Sequence, residues 1–149
     1  MIKSFRGKLA SGSSDVIRLS TNNGLTGYKI KKVETISTDP GAYDEENIFK
    51  LFSVEELDAT GVPVINGQLD FNSPTLLGAV FFQTGTAATK TASTVIVFDN
   101  VVINQDLHIT AIDVGGSTRA INYYIELEQV KLDINEATVA TLKDMRGRE

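Results

Sequence analysis

Ile121-Asn-Tyr-Tyr-Ile-Glu-Leu-Glu-Gln-Val-Lys-Leu132 carries the longest ordered pattern in the chain. Ile121, Tyr123, Ile125 and Leu127 share one face of an extended segment, and Asn122, Tyr124, Glu126 and Glu128 share the other. This alternation predicts a strand from Arg119 to Leu132, buried on one side and wet on the other. Near Gln129 the apolar side changes, because Val130, Leu132 and Ile134 continue on even positions. A bulge there would re-aim the strand; alternatively, the segment passes from its own sheet to a neighbour's surface. Beyond it Asn135 reads as a helix N-cap, with Glu136 suited to the first turn. Val139, Leu142 and Met145 recur at helical spacing, Lys143, Arg146 and Arg148 suit a helix end, and Gly147 suits a stop. The expectation is a sandwich over residues 1–132 and a short helix or arm over 133–149, within one domain. The apolar stripe is thin. It packs either on its own domain or on a neighbouring subunit, and both readings stay open.

Working outward, period-two patterns dominate the rest of the chain. Phe5–Leu9, Asp15–Ser20, Tyr28 to Val33, Leu76–Gln83, Thr94–Phe98 and Leu107–Ile112 each read as strands, and Asn47–Glu55, apolar on both faces, reads as a strand buried on both sides or as a short helix. Val101–Ile103 is expected to extend the pairing of the Thr94–Phe98 strand. Thr21-Asn-Asn-Gly24, Asp58–Pro63, Asp99-Asn100 and Gly115–Thr118 read as turns, since these residue types accept tight or positive-φ backbone cheaply. Lys32 breaks the alternation before Val33, which predicts a bulge or face switch. Asn66-Gly67 marks a hairpin between Val64-Ile65 and Gln68–Phe71. Residues 39–46 form an acidic loop and 84–93 a loop of small residues. Eight or nine strands with turns about every ten residues predict an all-β, antiparallel two-sheet sandwich, jelly-roll-like, with a short C-terminal helix or arm.

The 149 residues fit one domain, which at this length buries roughly 68–70% of its unfolded surface. There is no cysteine, so disulfides, thiolate metal sites and cysteine nucleophiles are excluded. The N-terminus lacks the apolar run of a signal peptide. The longest apolar stretch, Leu76–Phe82, is too short to span a bilayer as a helix, and no membrane partner is expected. The net charge of −5 is unevenly placed: residues 1–32 carry seven basic side chains and one acidic, the remainder seven basic and eighteen acidic. Such asymmetry suits a nucleic-acid or membrane contact, or a subunit that docks basic face to acidic face on its neighbour. Lys29, Lys31 and Lys32 are the basic candidates for assembly contacts; Val139, Leu142, Met145 and Arg146 are the candidates on the tail.

No catalytic constellation emerges. The single histidine, His108, has Asp106 and Thr110 at alternate positions, but no further metal ligands are identifiable. No Gly-x-Ser-x-Gly elbow, P-loop or dinucleotide fingerprint occurs. Asp39, Asp44, Glu45 and Glu46 lack calcium-loop spacing. Phe5 and Tyr28 are too few for a stacking platform on a basic face, so a nucleic-acid partner is not expected. No cofactor is expected.

Several stretches resemble small virion proteins of tailed bacteriophages, particularly marine ones. They are Phe5-Arg-Gly-Lys-Leu9, Ile17–Tyr28, Val97-Phe-Asp-Asn100, Asn104–Thr110, Asn122–Leu132 and Glu136–Asp144. The resemblance covers both ends and the third quarter, and residues 39–95 lie outside it. It implies a structural, non-enzymatic role in the particle: a capsid decoration (cement) protein, or a portal-, collar- or tail-associated subunit. The implied partners are the major capsid protein or other virion subunits and further copies of the chain, with assembly in the host cytoplasm. Two readings from other classes are a β-sandwich module binding carbohydrate or a host surface, and a hydrolase on a jelly-roll scaffold.

Overall fold

A computed structural model describes residues 1–19, 24–40, 44–85, 92–98, 101–115 and 117–145. Eight strands and one helix follow in order: β1 (Ile2–Leu9), β2 (Ser13–Ile17), β3 (Thr26–Ser37), β4 (Glu45–Phe52), β5 (Leu76–Thr84), β6 (Ala92–Val97), β7 (Leu107–Asp113), β8 (Ile121–Lys131) and α1 (Ile134–Met145). They form two antiparallel sheets, ordered β1-β8-β3 and β2-β7-β4-β5-β6. The expected two-sheet sandwich is present.

The pairing is that of a long hairpin rolled up on itself. β1 pairs with β8, β2 with β7 and β4 with β5. Folding over of the hairpin then brings β8 beside β3 and β7 beside β4. This is the jelly-roll scheme. The remaining partners of that scheme, β3 and β6, meet only in part. β6 stays on the five-stranded sheet beside β5. The chain then crosses, and Ile103 bridges Tyr28 of β3 through reciprocal backbone hydrogen bonds of 2.9 and 2.7 Å. Val101–Ile103 thus joins the other sheet instead of extending the pairing of β6.

The odd residues Ile121, Ile125 and Leu127 of β8 are fully buried between the sheets, facing Phe49, Leu51, Leu107 and Ile109. Removing that much apolar surface from water is the main force holding the layers together. β4 is buried on both faces, as its run of apolar residues requires. One face meets the core; the other lies under the long β4–β5 connection, whose Gln68 carbonyl accepts from Lys50.

Of two expected irregularities, one is present. The bulge predicted beside Lys32 is present, with the register of β3 on β8 shifting between Ile30 and Lys32. The bulge expected near Gln129 is absent, because β8 pairs with β3 without interruption from Leu127 to Lys131. The apolar side changes there because a second cluster forms on the reverse face. Val130 and Leu132 join Leu25, Val102, Ala137 and Ala140 beneath the returning helix. Gly27 makes that contact close enough: a Cβ there would lie 2.7 Å from Val102 Cγ1 and 3.0 Å from Leu132 Cδ1.

The expected Asn66-Gly67 hairpin is not formed. Residues 64–71 are irregular, and Asn66 Oδ1 accepts from Gln68 N and from Lys50 Nζ. Asp58–Pro63 is a turn, as expected, held by Asp58 Oδ1 accepting from Thr60 N, Thr60 Oγ1 and Val62 N. The expected turns at Thr21–Asn23 and Asp99-Asn100, Gly116 and the heart of the small-residue loop (86–91) lie outside the described residues.

Candidate functional site

The helix that ends the described chain is fastened in three ways. Asp133 caps it, its Oδ1 accepting from Glu136 N at 2.7 Å. The cap is therefore Asp133, two residues before the expected Asn135, because Ile134 already lies in the first turn. The Glu136 N–H holds the Asp133 carboxyl below its ordinary range. Ala137 and Ala140, three apart, form the face that lies against the sheet. Their small side chains let the helix approach closely. Asn104, with no solvent exposure, then locks the contact: its Nδ2 donates to Gly24 O at 3.0 Å, Ala137 O at 3.1 Å and Thr141 Oγ1 at 2.7 Å.

The helix therefore caps its own domain, but with alanines. Val139 and Leu142 are turned outward, 58% and 63% exposed, and Ile134 is 74% exposed. Ile134, Thr138, Thr141 and Leu142 line, with Leu25, a groove of about 470 Å³. Met145 closes the helix; its side chain and Arg146 lie outside the described residues. Ile134, which sequence reading did not name as an assembly contact, joins Val139 and Leu142 on the exposed surface of the helix. Its signal in the sequence was an apolar residue directly after a residue type suited to capping, Asp133.

The three candidate lysines sit on the outer face of the three-stranded sheet. Lys31, at the bulge, pairs with Glu128 at 3.0 Å, and Lys32 with Glu34 at 3.3 Å. Lys29 is the registered partner of Glu128. Hydrogen bonding to Lys31 holds the Glu128 carboxyl low. Such exposed pairs add little to stability, because solvent screens them. The basic N-terminal third is thus partly neutralised by the acidic alternate positions of β8. Farther along the same face, Arg6, Lys8, Glu34, Ile36, Asn122 and Tyr124 line an open groove of about 610 Å³. Tyr124 donates to Glu126 at 2.7 Å, which raises its hydroxyl above the ordinary tyrosine value. Opposite, the β4–β5 connection, residues 53–75, carries Glu55, Glu56, Asp58 and Asp70 and no basic residue.

The other sequence candidates do not assemble into chemistry. Asp106 is turned to the β2 end, accepting from Leu19 N at 2.9 Å and pairing with Arg18 at 3.3 Å. Among the described residues no three His, Asp or Glu side chains converge. The acidic residues of loop 39–46 separate: Asp39 and Asp44 are exposed, Glu46 accepts from Gln83, and Glu45 is buried. Sequence reading did not single out Lys50, which is 4% exposed and donates to Gln68 O at 2.8 Å. Burial lowers its ammonium below the ordinary lysine value. Its bonds to Asn66 and Gln68 make it a tie holding the β4–β5 connection onto β4. Comparison with protein-family models and with curated proteins finds no match.

Proposed function

We propose that this chain is a structural subunit of a bacteriophage particle, a capsid decoration (cement) protein that stabilises the shell through protein–protein contacts. The observation that carries the reading is α1. It is clamped to its own domain by Asn104 and its alanine face, yet presents Ile134, Val139 and Leu142 to solvent beside an apolar groove. A helix that needed only to cap the sandwich would gain nothing from exposing these three side chains. A helix held rigid while offering an apolar stripe is ready to meet a shell subunit without first paying to become ordered. The jelly-roll frame supplies the fixed surface on which such tiling depends. The likeness of Asn122–Leu132 and Glu136–Asp144 to phage virion proteins supports the same role. Mass spectrometry of purified particles tests it: the chain is expected in many copies, and its absence from particles would refute the reading.

A second reading, a module for carbohydrate or a host surface, is favoured by the groove between Arg6, Lys8, Glu34, Ile36 and Asn122, which offers hydrogen-bonding groups beside Tyr123 and Tyr124. Glycan-array binding that is lost in Tyr124→Ala would move the assignment there.

A further inference from the structure

We propose that Glu45, Asn47 and Asp113 form an interior site for a hard divalent cation of the Ca²⁺ type, at the end of the sandwich opposite the helix. The site is independent of any role in a particle.

Strand alternation places Glu45 and Asn47 on the same side of β4 as Phe49 and Leu51. That side is the inner one, since Phe49 stacks on Tyr123 of the facing sheet with ring centroids 5.3 Å apart. Glu45 is 2% exposed and Asn47 is 1% exposed. Among the described residues, neither carboxylate oxygen of Glu45 and neither amide atom of Asn47 has a hydrogen-bond partner. Asp113 stands directly across from Asn47 on β7, on the face that carries Leu107, Ile109 and Ala111 inward. Its Oδ1 accepts from Glu46 N at 3.1 Å and Gly115 N at 2.9 Å, and its Oδ2 from Arg119 N at 3.0 Å. These three bonds fix the carboxylate and leave lone-pair capacity on it. On the facing sheet Thr35, the registered partner of Tyr123, is also buried with its hydroxyl unpartnered.

Buried polar groups without partners are rare because each carries its full desolvation cost. An unpaired buried carboxylate is costlier still. Thr110 Oγ1, on the other face of β7, and Gln129 Oε1, toward the far end of β8, are also unpartnered, but Glu45, Asn47 and Thr35 share one end of the interior with Asp113, and these four share one chemistry. Glu45 and Asp113 supply carboxylates; Asn47 and Thr35 supply neutral oxygens. There is no thiolate or imidazole among them. Such a set suits a hard cation and does not suit zinc or copper. Two carboxylates match the charge of a divalent ion. Water completes the shell, as Ca²⁺ and Mg²⁺ sites commonly allow.

The test is thermal unfolding of the full chain after chelation, with and without added Ca²⁺, together with calorimetric titration of Ca²⁺. One site is expected. At free Ca²⁺ a hundred times its dissociation constant, the unfolding equilibrium should move by about 100-fold toward the folded state. Glu45→Gln is expected to abolish that response. Asn47→Asp, which adds a carboxylate at the same position, is expected to weaken the chelated protein and to tighten Ca²⁺. No response in the wild-type chain overturns the site. A response that survives Glu45→Gln unchanged also overturns it, because the ion then sits elsewhere. If Glu45→Gln fails to fold, the Asn47→Asp titration decides: affinity no tighter than wild type overturns the site.

Discussion

Two asparagines lie completely inside this protein, at opposite ends of the same sandwich, and they are treated in opposite ways. Asn104 sits under the helix and donates to three oxygens on two segments of chain. Asn47 sits under the loops at the other end, and no described residue bonds its side chain. The helix end is complete within the chain. The loop end contains buried polar groups that no described residue satisfies. The contrast separates a polar residue that fastens the fold from one kept for something else.

The largest expected effect comes from turning the Asn104 donor into an acceptor. Asn104→Asp would aim a carboxylate at Gly24 O, Ala137 O and Thr141 Oγ1, an uncompensated buried charge costing about 3–5 kcal/mol. Urea unfolding at pH 7 should register that loss. Hydrogen exchange should show residues 134–145 losing protection first. The cost should shrink in acid, where the new side chain is protonated and can donate again. A variant as stable as wild type, with α1 still protected, would mean that Ala137 and Ala140 hold the helix alone.

Asn47→Leu should do the reverse. Replacing an unsatisfied buried amide by an apolar side chain of similar size removes a desolvation cost, so the chelated protein is expected to gain about 1 kcal/mol. The same change removes a donor from the proposed cation site, and any stabilisation by Ca²⁺ should fall. A loss of stability in the chelated protein comparable to that of Asn104→Asp would erase the contrast between the two ends.

How far the sequence disclosed this arrangement depends on the reach of each interaction. β8 was legible because alternation is a property of neighbours, and so was the bulge at Lys31, where two lysines crowd one register. The Asp58 turn needs only its own five residues. The false hairpin at Asn66-Gly67 had a good local signal, but Lys50, sixteen residues earlier, draws Asn66 Oδ1 to itself. The change of face after Leu127 was legible as a fact and misread as a bulge, because its cause is a helix that folds back later in the chain. The crossing of Val101–Ile103 to β3, the Asn104 clamp and the pairing of Asn47 with Asp113 join residues far apart in sequence, and no local pattern announces them.

Lys50 is an intermediate case, a buried polar group satisfied by a loop. Burial lowers its folded-state value below the 10.5 it has when free. Between that lowered value and 10.5 the unfolded chain binds the proton more tightly, so this group makes stability rise with pH through the window. Below the window both states are charged and the burial cost is present in full. Lys50→Met should lose about 1 kcal/mol at neutral pH with the Gln68 and Asn66 bonds, and should flatten that rise. Urea midpoints for both chains from pH 8 upward measure the difference. Tyr123, whose hydroxyl is raised by burial, contributes the opposite slope equally to both chains. Parallel profiles would show that Lys50 does not couple to folding.

The smallest expected change in stability is the one that bears most on function. Val139 and Leu142 stand on the outward side of a helix whose inward side is already satisfied, so Val139→Asp with Leu142→Asp touches neither the alanine face nor the Asn104 clamp. Surface changes of this kind stay within about 0.5 kcal/mol. Far-ultraviolet circular dichroism and the urea midpoint should therefore match wild type, while incorporation into particles, followed by mass spectrometry, should be lost. The argument needs both halves. If the double variant unfolds, the stripe belongs to the fold and the helix end is less self-contained than its hydrogen bonds indicate. If it folds and still incorporates, the stripe is not the contact, and the groove beside Ile36 and Tyr124 becomes the surface to change next.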